Sequence, residues 1–138
     1  MEVVLHLPVV PNVELVAAKA VETLGSALGM HQTHVEAASV AMVEACLNAM
    51  EHGGGPVTVR LREEDNATRP CLLIEVEDHG QGFDPATAPK NSPSGVLGRS
   101  SKRGWGLTLI RELMDEVQIQ STPGKTLVSM RKYVESAP

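Results

Sequence analysis

The segment VEACLNAMEHG, residues 43–53, is the most informative part of the 138-residue sequence. Together with the residues before it, its apolar side chains recur at helical spacing and predict an amphipathic helix. Glu44 and Asn48 are four residues apart, so they share one face of that helix, at the border of its apolar stripe. A single pair of this kind is most often a solvated flank, so it gains meaning only from what accompanies it.

The predicted elements follow one another along the chain without an internal repeat or a linker. Asn12 is the predicted cap of the first helix, and Thr33 with Glu36 forms a capping box that opens the second. In order, the elements are a strand over 2–7, helices over 12–29 and 33–53, strands over 57–62 and 71–78, an aperiodic stretch over 83–103, a helix from 104, and strands over 117–120 and 126–133. This order predicts an α+β fold, a two-layer α/β sandwich with one mixed, mostly antiparallel sheet and its helices on one face.

A carboxylate and two glycines follow the predicted strand over 71–78. Asp78 stands at the strand end, and Gly80 and Gly82 let the backbone pass close to a flat ligand. A carboxylate there can accept a hydrogen bond from an exocyclic amine such as that of adenine, although the same residues also fit an ordinary turn. The stretch over 83–103 comes directly afterwards and is interpreted as a mobile lid.

The run Gly104-Trp105-Gly106-Leu107 opens the third predicted helix. Unpaired N–H groups and the positive end of the dipole at a helix start favour an anion such as phosphate. Lys102 and Arg103 lie just upstream and add positive charge. Taken alone, a hinge flanked by two solvated cations explains this motif equally well.

Composition narrows the class of protein. With 42% hydrophobic and 21% charged residues, the chain is expected to be one soluble globular domain. Its net charge of −5 and its 2% aromatic content argue against a nucleic-acid-binding surface. Cys46 and Cys71 are too few to staple a small secreted domain and no apolar leader follows Met1, so the cytoplasm is the expected compartment and no membrane contact is expected.

Two further motifs are rejected as sites. The run Gly124-Lys125-Thr126 looks like the end of a phosphate-binding loop, but the first glycine of such a loop would fall at Ile119, inside a predicted strand. His31 and His34 are three residues apart without a third ligand at helical spacing, which favours an exposed helix start over a metal site.

The three accepted motifs occur in one order and together resemble the N, G1 and G2 boxes of the GHKL ATPases, whose nucleotide-binding domain has the Bergerat fold. Within that superfamily, residues 43–53 and 104–117 are most similar to the bacterial anti-sigma-factor serine/threonine kinases, and the run over 129–133 is typical of them. The resemblance covers nearly the whole chain. It implies that residues 1–138 form a single histidine-kinase-like ATPase domain with an ATP lid at about 83–103.

The resemblance also implies a role for each matching residue. Glu44 would be the general base toward the substrate hydroxyl, Asn48 a ligand of Mg²⁺, and Asp78 the residue that reads the adenine of ATP. The other implied nucleotide contacts are His52, Gly80, Gly82, Lys102, Arg103, Gly104, Gly106, Leu107 and Thr126. Where the family usually has Gly-Lys-Gly-Thr, this chain has Pro123-Gly124-Lys125-Thr126, which keeps the threonine aligned. The basic residue of the lid is Lys102 or Arg103, depending on the alignment.

The implied function is that of a serine/threonine protein kinase and anti-sigma factor. Such a protein uses Mg-ATP to phosphorylate a STAS-domain anti-anti-sigma factor and, as a homodimer, can sequester a sigma factor without contacting nucleic acid itself. The alternative is a non-catalytic ATP-gated binding module, in which nucleotide only orders the lid for a partner. A plain α+β interaction domain whose glycines only make turns is the third interpretation.

Overall fold

The computed structural model describes residues 1–65, 69–80 and 106–135. Within these residues the chain forms strands and helices in the predicted order. Their bounds are β1 Glu2–Leu7, α1 Glu14–Ala27, α2 Gln32–Gly53, β2 Val57–Asp65, β3 Pro70–Asp78, α3 over residues 106–113, β4 Glu116–Thr122 and β5 Lys125–Tyr133. The predicted start of the third helix, at 104 and 105, lies outside the described residues.

The strands form one sheet in the order β1-β2-β3-β5-β4. All four pairs of neighbouring strands are antiparallel. The predicted α+β class is therefore confirmed, while the parallel pair that a mixed sheet allows is not found among the described strands. A tight turn explains the pairing of β4 with β5, since Gly124 takes a positive φ of 89° between them.

One face of the sheet carries three rows of side chains that cross all five strands. Two rows are apolar, and their members are Val3, Leu61, Ile74, Met130 and Val117, and Leu5, Val59, Val76, Val128 and Ile119. The third row begins with Leu7 and Val57 and ends with Asp78, Thr126 and Ser121. The core face of the sheet therefore becomes polar at one end, over β3, β5 and β4.

The helices cover this face and complete the core. The fully buried side chains of α1 and α2 are mostly small, and they include Ala17, Val21, Ala38, Ala41, Met42 and Cys46. Small side chains at a helix contact let two helices approach closely, which suits the packing of α1 on α2. From the third helix, Leu107 and Ile110 join the same core, followed by Met114. No described helix has both the length and the apolar character needed to cross a bilayer.

Both predicted helix caps are wrong. Asn12 takes a left-handed backbone conformation with a φ of 67°, and α1 begins after Val13, which makes no side-chain cap. The cap of α2 is His31, whose Nδ1 accepts a hydrogen bond from the backbone N–H of Thr33 at 3.2 Å. Thr33 is therefore already inside the first turn and cannot form the capping box with Glu36. At the other end the predicted stop is confirmed, because α2 ends at Gly53 and Gly54 follows with a φ of 72°.

Candidate functional site

The helix α2 brings a carboxylate and an amide to the polar end of the core. Glu44 is half-buried, and one turn later Asn48 is only 6% exposed. Among the described residues neither Nδ2 nor Oδ1 of Asn48 has a hydrogen-bond partner. A buried polar group without a partner costs about 1–3 kcal/mol. The Asn48 side chain therefore fits a ligand-binding role better than a structural one.

The start of the described part of α3 packs directly on this pair. A Cβ built on Gly106 would lie 3.0 Å from Oε2 of Glu44 and 3.2 Å from Nδ2 of Asn48. With any other residue at position 106, the Glu44 carboxylate or the Asn48 amide would have to shift by a few tenths of an ångström. Glu44 and Gly106 are 62 residues apart in the sequence. Their contact brings the glycine motif and the Glu44–Asn48 motif into one candidate site.

The other end of α3 is anchored to the last strand. The Nζ of Lys132 donates a hydrogen bond to the backbone carbonyl of Leu113 at 2.7 Å. Asp115 accepts one from the backbone N–H of Tyr133 at 2.8 Å. Together these bonds tie the end of α3 to β5, and they give a structural role to the closing segment over 129–133.

Asp78 ends β3 at the polar end of the core and is 3% exposed. Its Oδ1 accepts a hydrogen bond from the backbone N–H of Gly80 at 2.9 Å. The end of α2 presses against the same carboxylate, since a Cβ on Gly53 would lie 2.8 Å from Oδ1. A Cβ on Gly80 would lie 2.1 Å from the Cα of Gly53, so these two glycines are in backbone contact. The end of β3 and the end of α2 are therefore packed together, and Asp78, Gly80 and Gly53 form one wall of the candidate site.

Thr126 lies directly opposite Asp78 in the antiparallel register of β3 and β5, and it is 2% exposed. Its hydroxyl shares a hydrogen bond of 3.1 Å with that of Ser121 on β4. Although Pro123-Gly124-Lys125 differs from the usual family sequence, Thr126 still lies beside the Asp78 carboxylate. Lys125 points to the other face of the sheet, where its Nζ lies 3.2 Å from Oε2 of Glu77. This geometry agrees with the rejection of a phosphate loop at residues 124–126.

A buried carboxylate lies immediately behind this wall. Glu77 is 6% exposed, and it pairs with Arg60 at 2.7 Å, Lys125 at 3.2 Å and His79 at 3.5 Å. The hydrogen bond from Arg60 lowers the pKa of Glu77 against the opposing effect of burial, and Lys125 lowers it further. The carboxylate is therefore held ionised, and it ties together the ends of β2, β3 and β5.

The remaining predicted contacts are placed as follows. His52 is exposed at the end of α2. The side chain of Leu107 is 8% exposed and belongs to the core, so only its backbone is left to contact a ligand. Gly82, Lys102, Arg103, Gly104 and the lid over 83–103 lie outside the described residues.

Three residues of this region were not among the predicted site residues: Gly53, Glu77 and Ser121. Gly53 is the last residue of the predicted helix over 33–53, and its lack of a side chain also makes room for Asp78. Nothing in the local sequence marks Glu77 or Ser121, because their partners come from other strands.

The metal-binding potential of the site depends on one amide. Among the described residues, no group of three or more His, Cys, Asp or Glu side chains is arranged to hold a metal ion. His31 instead caps α2, so it lies at the start of a helix as the sequence predicted. Mg²⁺ is often held by one or two protein oxygens together with substrate phosphates. The unpartnered Oδ1 of Asn48 fits that mode of binding.

Comparison with known proteins places the chain in context. It matches the histidine kinase-like ATPase domain family over residues 10–132. A serine-protein kinase named RsbW from Bacillus velezensis is 30% identical over 139 residues, which span 94% of this chain and 84% of that protein. An anti-sigma F factor from Caldanaerobacter subterraneus subsp. tengcongensis is 33% identical over 99 residues, which span 71% of this chain and 66% of that protein.

A solved structure supports the fold independently of sequence. A chain in the SiaB–SiaC complex from Pseudomonas aeruginosa superposes with a TM-score of 0.55 at 12% identity. The superposition covers 96% of this chain and 89% of that one. At this identity the likeness concerns the fold alone.

Proposed function

The chain belongs to the histidine kinase-like ATPase domain family, and from that membership we propose that it is a serine/threonine protein kinase and anti-sigma factor. Its substrates would be Mg-ATP and a STAS-domain anti-anti-sigma factor. The observation that carries the proposal is the meeting of Glu44 and the unpartnered Asn48 amide against Gly106. The names of the similar proteins, a serine-protein kinase and an anti-sigma F factor, support it.

In this proposal the adenine end of ATP lies against the wall formed by Asp78 and Thr126. The Gly80 N–H occupies Oδ1 of Asp78, which fixes the carboxylate and orients its other oxygen as an acceptor for the exocyclic amine of adenine. The backbone contact between Gly53 and Gly80 supports this wall from behind. Gly82 would continue along the base.

The phosphates would lie toward Gly106, where the third helix begins in the described chain. Asn48 Oδ1 would hold Mg²⁺, which neutralises phosphate charge when bound. Gly104, Gly106 and the backbone of Leu107 would contact phosphate oxygens, with Lys102 or Arg103 adding charge and His52 near the rim. These assignments place the phosphates near the start of α3, and the start of a helix favours an anion.

Glu44 would receive the proton of the substrate hydroxyl. As the hydroxyl oxygen bonds to the γ-phosphorus, the bond from that phosphorus to the β,γ-bridging oxygen breaks and ADP leaves. In such transfers most of the rate enhancement comes from positioning and charge neutralisation. A carboxylate one turn from the Mg²⁺ ligand suits this division of labour, since the two side chains lie on one face of α2.

The family resemblance also suggests a domain organisation, a compartment and partners for this protein. Residues 1–138 would act as one domain in the cytoplasm. It would switch between the STAS-domain partner and a sigma factor, as a homodimer, with no direct contact to nucleic acid or membrane.

The test is transfer of labelled phosphate from Mg-ATP to a purified STAS-domain protein encoded beside this gene. Glu44→Gln removes the proton acceptor with little change of shape, and we expect transfer to fall about 10²–10⁴-fold. Glu36→Gln on the exposed side of the same helix is the matched control and should transfer at the wild-type rate. Undiminished transfer by Glu44→Gln would refute the role of Glu44 as base.

The same assay separates the kinase from the ATP-gated binding module. If wild-type protein binds the partner only with Mg-ATP but transfers no phosphate, and Glu44→Gln binds equally well, the binding module is the correct function. Absence of any calorimetric signal for Mg-ATP would instead leave an interaction domain.

A further inference from the structure

Three polar side chains lie side by side at the end of the third row of the core face, one on each of three neighbouring strands. Asp78 on β3 is opposite Thr126 on β5, and Thr126 is opposite Ser121 on β4. Asp78 and Thr126 are buried, and Ser121 is half-buried. The Thr126 hydroxyl therefore lies between a carboxylate on one side and a second hydroxyl on the other.

The hydroxyl groups of Ser121 and Thr126 share one hydrogen bond of 3.1 Å, in which either can donate. A hydroxyl carries a single hydrogen and can also accept. If Thr126 donated to Ser121, Thr126 would have only lone pairs left for the side of Asp78. If Ser121 donates to Thr126, the hydrogen of Thr126 remains for that side.

The negative charge of Asp78 selects between these two arrangements. Directly opposed residues of an antiparallel pair have Cβ atoms about 4.5–5.5 Å apart, so the carboxylate acts on the Thr126 hydroxyl at close range. Burial strengthens this effect, because electrostatic interactions are stronger at a low local dielectric. A negative charge attracts the hydrogen of a hydroxyl and repels its lone pairs. Ser121 is therefore the donor in its bond with Thr126.

We propose that Ser121 is a positioning residue for nucleotide recognition, which fixes the Thr126 hydroxyl as a donor to N1 of adenine. This inference rests on the proposed function and adds a residue to its adenine end. Adenine has a donor, the exocyclic amine, beside an acceptor, N1. Asp78 would accept from the amine, and Thr126 would donate to N1, directly or through one water. Guanine has these two groups in the reverse order, so it would meet an acceptor with its O6 and a donor with its N1–H.

The test removes one atom of the base. Calorimetry gives the dissociation constants of ATP and of 1-deaza-ATP, in which a C–H group replaces N1. For wild type, the loss of N1 should raise the dissociation constant about 3–10-fold, the effect of one hydrogen bond. In Ser121→Ala the Thr126 hydroxyl is free to rotate, so ATP should bind about 2–5-fold more weakly, while the affinity for 1-deaza-ATP should hardly change. A bond that only held β4 on β5 would weaken both nucleotides equally.

Three further variants separate positioning from structure. Ser121→Thr keeps a hydroxyl and should keep the wild-type ratio of the two dissociation constants. Ser129→Ala is the matched control, since this serine is also half-buried but lies opposite Glu75 on the other face of the sheet. It should bind both nucleotides with wild-type dissociation constants. Thr126→Val removes the group through which Ser121 acts, so adding Ser121→Ala to it should have no further effect.

The outcomes distinguish this inference from the function on which it rests. Equal losses for ATP and 1-deaza-ATP in Ser121→Ala, or additive losses in the double variant with Thr126→Val, would overturn the role of Ser121 and leave the proposed function intact. Equal affinity of wild type for the two nucleotides would overturn it as well, because N1 would then have no partner. Absence of ATP binding by wild type would overturn the proposed function together with this inference.

Discussion

Glu77 and Asp78 are consecutive residues of β3 and almost equally buried, at 6% and 3% exposure, yet they point to opposite faces of the sheet. Glu77 is surrounded by Arg60, Lys125 and His79. Asp78, in contrast, accepts its one described hydrogen bond from the Gly80 backbone. One carboxylate thus joins neighbouring strands by ion pairs, while the next belongs to the candidate nucleotide site on the other face.

Removal of the Glu77 charge is expected to weaken nucleotide binding without any contact to the nucleotide. In Glu77→Gln the ion pairs with β2 and β5 are lost, so the strand ends that carry Asp78 and Thr126 loosen. We expect the dissociation constant of ATP to rise about 5–10-fold, and the free energy of unfolding to fall by about 1–3 kcal/mol. Calorimetry and urea denaturation measure the two effects.

Glu75→Gln is the control for this change. Glu75 is on the same strand and the same face, two residues away, and is opposite Arg60 in register. The Glu75→Gln variant should bind ATP with the wild-type dissociation constant. Equal losses in both variants would mean that overall charge matters and not the position of Glu77.

The stability of the protein should depend on pH through Glu77 and Glu64. Hydrogen bonds from Arg60 and Arg131, respectively, lower the pKa values of these carboxyls below the ordinary 4.5. A lowered pKa in the folded state means that the unfolded chain binds the proton more tightly. The stabilisation is therefore complete above about pH 4.5 and is lost as the pH falls through the folded-state pKa values.

Urea denaturation between pH 7 and pH 3 checks this expectation. Wild type should keep a nearly constant free energy of unfolding down to about pH 5 and lose stability below it. The double variant Glu64→Gln, Glu77→Gln should start less stable and show a shallower acid slope. If the free energy of unfolding of the double variant falls with pH as steeply as that of wild type, other carboxyls cause the acid sensitivity.

A methyl group at position 106 should impair catalysis while sparing the fold. Alanine favours a helix over glycine by about 1 kcal/mol, so Gly106→Ala should not lose stability through α3 itself. Its Cβ, however, would lie 3.0 Å from Glu44 Oε2, so the carboxylate or the Asn48 amide would have to shift by a few tenths of an ångström. We expect phosphate transfer to fall at least about tenfold, since small displacements of catalytic groups are costly. Thr108→Ala, at an exposed position of α3, should retain full transfer.

Asn48 is expected to contribute to the binding of Mg-ATP and to contribute little to the stability of the protein without ligand. Its amide has no partner among the described residues, so Asn48→Ala removes an uncompensated polar group at the cost of a small cavity. The free energy of unfolding without ligand is expected to stay within about 1 kcal/mol of wild type. Mg-ATP should stabilise wild type in the same denaturation assay and fail to stabilise the variant. A large loss of stability without ligand would show that the amide is structural.

Local periodicity was sufficient for the elements and for one relationship within the site. The order of strands and helices follows from alternation and helical spacing, and Glu44 and Asn48 share a face because four residues make about one turn. The caps were not predictable in this way. His31 could replace Thr33 as the cap of α2 because capping depends on which side chain reaches the first free N–H groups once the helix has docked.

By itself, the sequence determined which residues are available at a strand end, on a helix face and at a glycine-rich helix start. Only the tertiary structure decided that Thr126 lies opposite Asp78, that Gly53 and Gly80 touch, and that Gly106 packs on Glu44. These contacts join residues far apart in the chain. They are set by the burial of whole rows across the sheet, which fixes the register of every strand at once, and no local stretch contains that information.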